Sequence, residues 1–594
     1  MTADMNLGVI GNGNVAALID SRGRVCWHCL PRFDGDPVFC SLMNGDDPEA
    51  GFMDVTIENL ESATQEYRRN TAILVTTLVD RDGAGIRITD LAPRFKLFGR
   101  IFRPAVLARI IEPFDGTPLV RIRVRPLYDH GAAVPAITRG SNHMRFVMPQ
   151  QALRLTTDAP ITYIGTEAPF TVSAPLHMIF GPDEPVTESP AFAARDYLER
   201  TREYWIEWSR YLSIPFEWQD AVIRAAITLK LCQFEETGAI VAALTTSIPE
   251  VPHETRNWDY RHCWLRDAYF SVHALNRLGA TRTMEKYLDY ITTVLAIEPA
   301  SDLKPVYGIL PDQQLTEFSV ASLAGYRGMG PVRVGNQAQE QVQHDSYGSV
   351  VLATAQMFFD GRLPVRGDRR LFARLEQLGE KARERAFVPD AGLWEFRGRA
   401  HVHTHSAALC WAACDRLARI AGVLDLVDRA RYWRTEADRI AAVILEKAWN
   451  AELNSFVSAF GGSDVDASLL LLREIGLVSA DDPRFLGTFA LITATLRRGD
   501  HLFRYSSADD FGLPRNAFTI CTFWYIDALA AVGRPDEARE MFERALACRN
   551  HLGLLSEDID TVTGELWGNF PQTYSLVGLI LCAMHLSKRW EDAF

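Results

Sequence analysis

The chain is short of the features that would place it quickly in a class. Its ten cysteines in 594 residues are too few for a dense disulfide framework. Cys26 and Cys29 form a CxxC, but a zinc site needs two further ligands at suitable spacing and none occurs nearby, so both read as core thiols. Cys410 and Cys414, at helical i,i+4 spacing, read the same way. Positive charge is in deficit, 62 basic against 75 acidic residues for a formal charge of −13, with no block of like charge. Without a basic stripe, nucleic acid and anionic membrane surfaces are not expected as partners. The longest apolar stretch, residues 575–586, falls short of the roughly 18 residues of a membrane span and reads as a buried helix. The opening MTADMNLGVIGNGNV has neither a basic n-region nor an apolar h-region. No secretory signal is read there, and a cytoplasmic location is expected.

A dinucleotide fingerprint is also missing. Gly11 and Gly13 in GVIGNGNVA resemble one superficially, but the motif needs a strand before it, a helix after it and a βαβ unit around it. The adjoining stretch, AALIDSRGRVCWHCLP, reads instead as two strands about an Arg-Gly turn.

What is present is enough for two large cores, with 47% hydrophobic and 23% charged residues. Up to about residue 192, short runs rich in Val, Ile, Thr and Phe alternate with turn residues: AILVTTLVD, GIRITDLAP, PLVRIRVRP, ITYIGT and FTVSAP. This spacing predicts an antiparallel β-sandwich over residues 1–192. Residues 193–215 read as a helical linker. Over residues 216–594 the apolar period becomes helical, with about twelve amphipathic or buried segments joined by loops of uneven length. A dozen helices in pairs suits a ring of six hairpins or an irregular α-solenoid, since counting alone does not close a ring.

The chemistry concentrates in the long loops. Residues 256–267, RNWDYRHCWLRD, gather two Trp, one Tyr, two Asp and three Arg. They read either as core anchors with salt bridges or as aromatic faces and fixed polar groups for a sugar ring. In DAGLWEFRG, residues 390–398, Glu395 stands beside Trp394. An indole next to a carboxyl group favours the protonated form that a general acid needs; a surface Glu is the plainer alternative. Residues 553–571 offer Glu557, Asp558, Asp560 and Glu565 close to Trp567, without the Asp/Asn alternation about a Gly that a calcium loop requires. Residues 331–348 and 503–514 are polar loops that either line a cleft or cap helices.

Together these segments resemble glycoside hydrolase family 15, the glucoamylase, glucodextranase and bacterial trehalase family. NWDYRHCWLRDA resembles its substrate-binding signature, GLWEFRG its general-acid loop and LLSEDIDTVTGELWGNFPQTYS its general-base loop. LPRFDGDPVF and PVRVGNQAQEQVQHDSYG match its bacterial members, so the resemblance spans nearly the whole chain in order. It implies a multidomain β + α fold, an N-terminal β-sandwich followed by an (α/α)6 barrel, and an exo-acting hydrolase of small α-glucosides that inverts the anomeric centre. Glu395 would be the acid and Glu557 the base; Trp264, Arg266, Asp267 and Arg504 would line the terminal glucose subsite, with Trp258, Asp259, Trp394 and Trp567 as further pocket residues. No metal or organic cofactor is required, because the two carboxyl groups carry all the proton transfers. Trehalose is slightly favoured over malto- and isomalto-oligosaccharides. A disaccharide phosphorylase and a non-catalytic sugar-binding protein are the alternatives. Two positions depart from the family's pattern: Ala407 comes after His405 and Ser406 where relatives carry Lys, and Arg515 and Asn516 come after Pro514 where relatives carry Glu-Gly. If the sandwich lends a loop to the pocket, Phe33 and Asp34 are the expected contributors.

Overall fold

A computed structural model describes residues 3–46, 48–298 and 303–592. Strand propensity and alternation build the N-terminal part. In Leu119–Arg125, Val120, Ile122 and Val124 turn into the core while Arg121, Arg123 and Arg125 turn outward, the period of two expected of a half-buried strand. A seven-stranded sheet runs in the order Gly8–Gly11, Ala16–Ile19, Val25–Leu30, Phe52–Ile57, Leu119–Arg125, Phe170–Thr171, with Asp36–Phe39 paired to Val25–Leu30. An eight-stranded sheet runs Ala136–Arg139, His143–Val147, Ala152–Thr157, Leu176–Pro182, Leu107–Phe114, Gly85–Leu91, Leu74–Asp80, Leu60–Tyr67. Both are antiparallel throughout and share one apolar core. The glycine-rich start pairs Gly8–Gly11 with Ala16–Ile19 as a hairpin. Ala16–Ile19 pairs in turn with Val25–Leu30 across the Arg-Gly turn, where Gly23 takes φ +82°.

One expected strand is a helix. Ile161–Thr166, ITYIGT, buries only Ile164 and so has no second apolar position to alternate against a sheet. Pro160 precedes it, and Glu167 ends it in the left-handed region.

Pro190–Arg210 is a long helix started by a Ser-Pro pair, the Ser189 hydroxyl accepting from the amide of Phe192. Its Ala194 and Leu198 pack on Ile73, Leu91, Ala108 and Ile110 of the eight-stranded sheet. Apart from the 3-10 turns Gln337–Glu340 and Trp590–Asp592, twelve helical segments come after it among the described residues. Gln219–Leu231, Thr281–Ile297, Arg369–Arg385, Val427–Lys447, Pro483–Leu496 and Pro535–Ala547 form the outer set. Leu265–Arg277, Asp345–Phe359, Thr404–Val423, the 3-10 turn Ala467–Leu470 with Leu471–Glu474, Thr519–Ala531 and Thr573–Leu586 form the inner set. Burial differs between several of them, although the outer Gln219–Leu231 is also buried over most of its length. Arg369–Arg385 buries one stripe, Phe372, Leu375, Leu378, Gly379 and Ala382, whereas Asp345–Phe359 and Thr573–Leu586 are buried almost all round. Each inner segment touches the next, and the last packs against the first. The ring therefore closes, which excludes the solenoid and makes this an (α/α)6 barrel. None of the described helices is long and apolar enough to cross a membrane.

All ten cysteines are free, and burial pushes the Cys29 thiol up to about 12. The inner ring tolerates little added bulk. A Cβ on Gly348 would come within 2.1 Å of the Leu409 carbonyl oxygen of the neighbouring inner helix. Gly348→Ala should therefore force Asp345–Phe359 and Thr404–Val423 apart and destabilise the protein by about 1–3 kcal/mol, read as a lower denaturation midpoint with an unchanged m-value. An unshifted midpoint would show that these helices are not in close contact.

Candidate active site

Each loop that reaches the pocket immediately precedes an inner helix, so one end of the barrel collects all of them. Residues 256–260 run extended into Leu265–Arg277. Side chains alternate along an extended chain, and here Arg256, Trp258 and Tyr260 face the pocket. Asn257, Asp259 and Arg261 face the interior below. Asn257 donates to the Met329 and Pro331 carbonyl oxygens at 2.9 and 3.0 Å. Arg261 meets Asp259 with two hydrogen bonds, 2.9 and 2.8 Å.

Glu395 sits on the turn after Gly392, held by its amide to the Gly392 carbonyl oxygen at 3.1 Å and by Gln341 Nε2 to its own carbonyl oxygen at 3.2 Å. Its φ of +58° is the left-handed region, a strain of about 1–3 kcal/mol for a side chain of this kind. Its Oε1 accepts from Trp264 Nε1 at 2.7 Å, Arg266 Nη2 at 2.8 Å and, more weakly, Gln343 Nε2 at 3.3 Å. The indole bonded to this carboxylate is thus Trp264. Trp394 lines the pocket too, but its Nε1 donates to Asp466 Oδ2 at 2.9 Å.

Glu557 lies just before Asp558–Ile559 in a three-stranded sheet with Ala517–Phe518 and Leu566–Trp567. Its Oε1 accepts the Tyr260 hydroxyl proton at 2.6 Å, and its Oε2 faces the Asn569 amide at 3.4 Å. Gly568, at φ +74°, leaves the space that this carboxyl group needs: a Cβ there would meet Glu557 Oε2 at 2.7 Å. Burial and the nearby Glu250 carboxylate push the Glu557 carboxyl up, opposed by the Tyr260 hydrogen bond and the Arg504 charge. The rings of Tyr260 and Trp264 stand 5.3 Å apart, edge to face. Each of the two carboxylates is therefore held by one ring of a single packed pair.

The cavity between them has about 950 Å³ of empty space, its open mouth included. Trp258, Trp264, Arg266, Asp267, Trp394, Arg504, Glu395 and Glu557 all line it. Asp267 has its carboxyl pushed up to about 7, by burial first and then by the charges of Glu395 and Asp345, against the pull of Arg266. Arg504 is ion-paired with Glu250, whose Oε1 also accepts from Trp258 Nε1 at 3.2 Å.

Two expected pocket residues lie outside it. Asp259 falls on the buried side of the alternation. Burial alone would raise its carboxyl, but Arg261 and His262 hold it well below the usual carboxylate range. Trp567 is turned away, its ring packed on Tyr326 and under Arg327. Phe33 and Asp34 do not reach the pocket either. Phe33 packs on Phe234, Asp34 pairs with Arg32 at 3.0 Å, and every lining residue comes from position 242 onward. Of the two departures from the family's pattern, Ala407 is buried inside its helix, while Asn516 Nδ2 donates to the Glu250 carbonyl oxygen at 2.7 Å.

Sequence reasoning missed Tyr260, Glu250 and Gln343. Tyr260 was recoverable, because in an extended chain the neighbour of pocket-facing Trp258 at i+2 shares its face. Glu250 and Gln343 carry no such local signal.

The family described as Glycosyl hydrolases family 15 matches residues 218–584, and a trehalase-like N-terminal family matches residues 5–159. A trehalase of Thermoplasma volcanium is 33% identical, over 98% of this chain and 93% of that one. A trehalase of Mycobacterium tuberculosis is 30% identical, over 98% and 89%. The crystal structure of a bacterial glucoamylase complexed with acarbose superposes with a TM-score of 0.69 at 13% identity, over 98% of this chain and 94% of that one, a likeness of fold. With the family matched over most of the chain and relatives alike from end to end, this protein belongs to glycoside hydrolase family 15.

Proposed function

We propose that this glycosidase hydrolyses trehalose in the cytoplasm by a single displacement that inverts the anomeric centre, with Glu395 as general acid and Glu557 as general base. One observation carries the reading: two carboxylates from separate loops line one pocket, each gripped by one ring of the Tyr260–Trp264 pair. Inversion needs about 6.5–9.5 Å between the carboxyl groups so that a water fits on the far face of the sugar, and a pair of rings between the two anchoring hydrogen bonds supports such a gap. The choice of substrate rests on the full-length relatives, which are named trehalases. Residues 1–192, 193–215 and 216–594 are the corresponding sandwich, linker and catalytic barrel.

In this mechanism Asp267 and Arg266 take hydroxyls of the terminal glucose while the Trp258, Trp264 and Trp394 rings supply apolar faces. Glu395 gives its proton to the glycosidic oxygen as the C1–O bond breaks. Glu557 takes a proton from the water that attacks C1 from the other side. The enzyme is left with Glu395 ionised and Glu557 protonated, and exchange with solvent resets both. Burial and the Glu250 charge make Glu557 a stronger base than an exposed carboxylate, and the Tyr260 hydrogen bond keeps enough of it ionised to act.

Three measurements test this. Proton NMR in phosphate-free buffer should show α- and β-glucose appearing in equal amounts from trehalose within the first minutes, one anomer from the attacked ring and one from the leaving ring. Only α-glucose would mean retention, and turnover that waits for added phosphate would mean a phosphorylase. Glu395→Gln should lose a factor of about 10²–10⁴ in kcat on trehalose yet keep activity on α-glucosyl fluoride, whose leaving group needs no acid; equal losses on both substrates would remove Glu395 from the acid role. Tyr260→Phe takes away a hydrogen bond that favours the ionised base, so the acidic limb of the kcat/KM profile should move up by about one pH unit. An unmoved limb would sever Tyr260 from Glu557.

A further inference from the structure

We propose that Trp524 is the floor of the sugar pocket and the side chain that restricts it to a terminal glucose with a free 4-hydroxyl. The proposal rests on the reading of this pocket as the glycosidase site.

A second cavity occupies the barrel beneath the first. Phe270, Leu471, Phe523, Val577 and Leu581 give it apolar walls. Its polar edge is Asp527, which accepts from Arg473 Nη1 at 2.6 Å and meets His585 Nδ1 at 2.5 Å. The two cavities divide the same inner helices between them. Trp264 and Asp267, Phe518, and Tyr574 line the first from the starts of Leu265–Arg277, Thr519–Ala531 and Thr573–Leu586. His273 and Arg277, Asp527, and His585 line the second from farther along those helices. The second cavity therefore lies toward the end of the barrel opposite the loops that carry Glu395 and Glu557.

Trp524 alone among the described residues lines both cavities. It is the sixth residue of Thr519–Ala531, about 7.5 Å down the barrel from the start of that helix. Its ring stands edge-on to Tyr574 at 5.7 Å, and its centre lies 6.2 Å from that of Phe270 and 6.4 Å from that of Trp394. Phe270 and Tyr574 are 5.4 Å apart. Tyr574 lines only the upper cavity and Phe270 only the lower, so the layer these two rings make with Trp524 is the partition. Trp524 Nε1 is buried and has no hydrogen-bond partner among the described residues. Ring packing alone holds the indole, and replacing it strands no polar group.

This position decides what the pocket admits. In the proposed mechanism the bond to be cut lies between Glu395 and Glu557, and the leaving sugar departs through the open mouth. The retained ring then points its far side down the barrel. C4 lies across a pyranose ring from C1, so the 4-hydroxyl is the one that meets the floor. An indole there leaves no room for a substituent on that oxygen, and a glucose extended at C4 is shut out. Below the indole is apolar space rather than packed protein. The pocket is thus blind because of one side chain, and a smaller residue at this position would join the two cavities.

The test compares kcat/KM for α-glucosyl fluoride and for its 4-O-propyl ether, with trehalose as reference, in wild type and Trp524→Ala. Wild type should take the parent fluoride and reject the ether by about 100-fold or more. Trp524→Ala loses the surface beneath the sugar, so it should slow on trehalose and on the parent fluoride. The ratio of ether to parent fluoride should nevertheless rise by about 100-fold, as the propyl group enters the lower cavity. A general loosening of the barrel would lower both fluorides alike and leave that ratio where it was. Should Trp524→Ala fail to fold, Trp524→Leu fills more of the gap and should raise the ratio by about tenfold. A ratio that stays within about threefold of wild type would overturn the proposal, as would a wild type that takes the ether as readily as the parent fluoride. Wild type that turns over neither trehalose nor α-glucosyl fluoride would instead remove the reading of the pocket itself, a result obtained before any variant is made.

Discussion

A buried ion pair, Asp259 with Arg261, decides which residues the pocket receives. Asp259 is fully buried and accepts from Arg261 at 2.9 and 2.8 Å and from the Gly335 amide at 3.1 Å. Arg261 reaches in turn to the Gly35 carbonyl oxygen at 3.0 Å. Removing one partner of such a pair leaves an uncompensated charge in the interior, at about 3–5 kcal/mol. The pair therefore pins the extended chain with its odd-numbered side chains down, and the alternation then lifts Trp258 and Tyr260 up. Tyr260 fixes Glu557 and its neighbouring ring Trp264 fixes Glu395. Two carboxyl groups more than a hundred and fifty residues apart in the chain are thus placed from a stretch of seven residues.

The pocket's charges show a similar economy of partners. Arg504 faces Glu250, Arg256 faces Asp509 at 2.6 Å, and Arg266 faces Glu395. Each guanidinium is already neutralised by the protein. An anion entering here would compete with fixed carboxylates, whereas a neutral sugar needs only donors and acceptors that pivot slightly. Glu557 and Asp558, adjacent and both buried, have their carboxyls pushed up by burial and by Glu250. The proposed base is thus kept from being too weak by the same crowding that would silence it without Tyr260 and Arg504.

Much of this was legible in the sequence where local pattern decides the outcome. Period-two runs located the strands, period-3.6 runs located the helices, and the clustering of aromatic and charged residues in long loops marked the segments that meet in the pocket. Local pattern failed where a single neighbour or a distant partner decides. ITYIGT has strand composition but no second buried position, and folds as a helix. Trp394 adjoins Glu395 in sequence, yet the indole that bonds Glu395 is Trp264, because Asp466 claims Trp394. Asp259 sits in the sugar-binding signature, and only the alternation of an extended chain reveals that it points down. Closure of the helical ring depends on the contact of Thr573–Leu586 with Leu265–Arg277, which no count of helices contains.

Among the described residues the N-terminal sandwich lines none of the pocket, yet the site is built against it. Its Trp27 donates to the Leu244 carbonyl oxygen at 2.8 Å, two residues beyond the first residue to line the pocket. Gly35 and the Cys29 sulfur receive Arg261, the inner partner of the pair that orients residues 256–264. Asn550 donates to the Met5 and Leu7 carbonyl oxygens at 3.0 and 2.9 Å, just ahead of the loop that carries Glu557. A loop without backing would leave its pocket-facing side chain free to wander. Backing three such points with a rigid sheet does for this site what packing inside the ring does for Asp345–Phe359: it takes away the alternatives. The sandwich therefore acts on the pocket through the positions it forbids to the loops that line it.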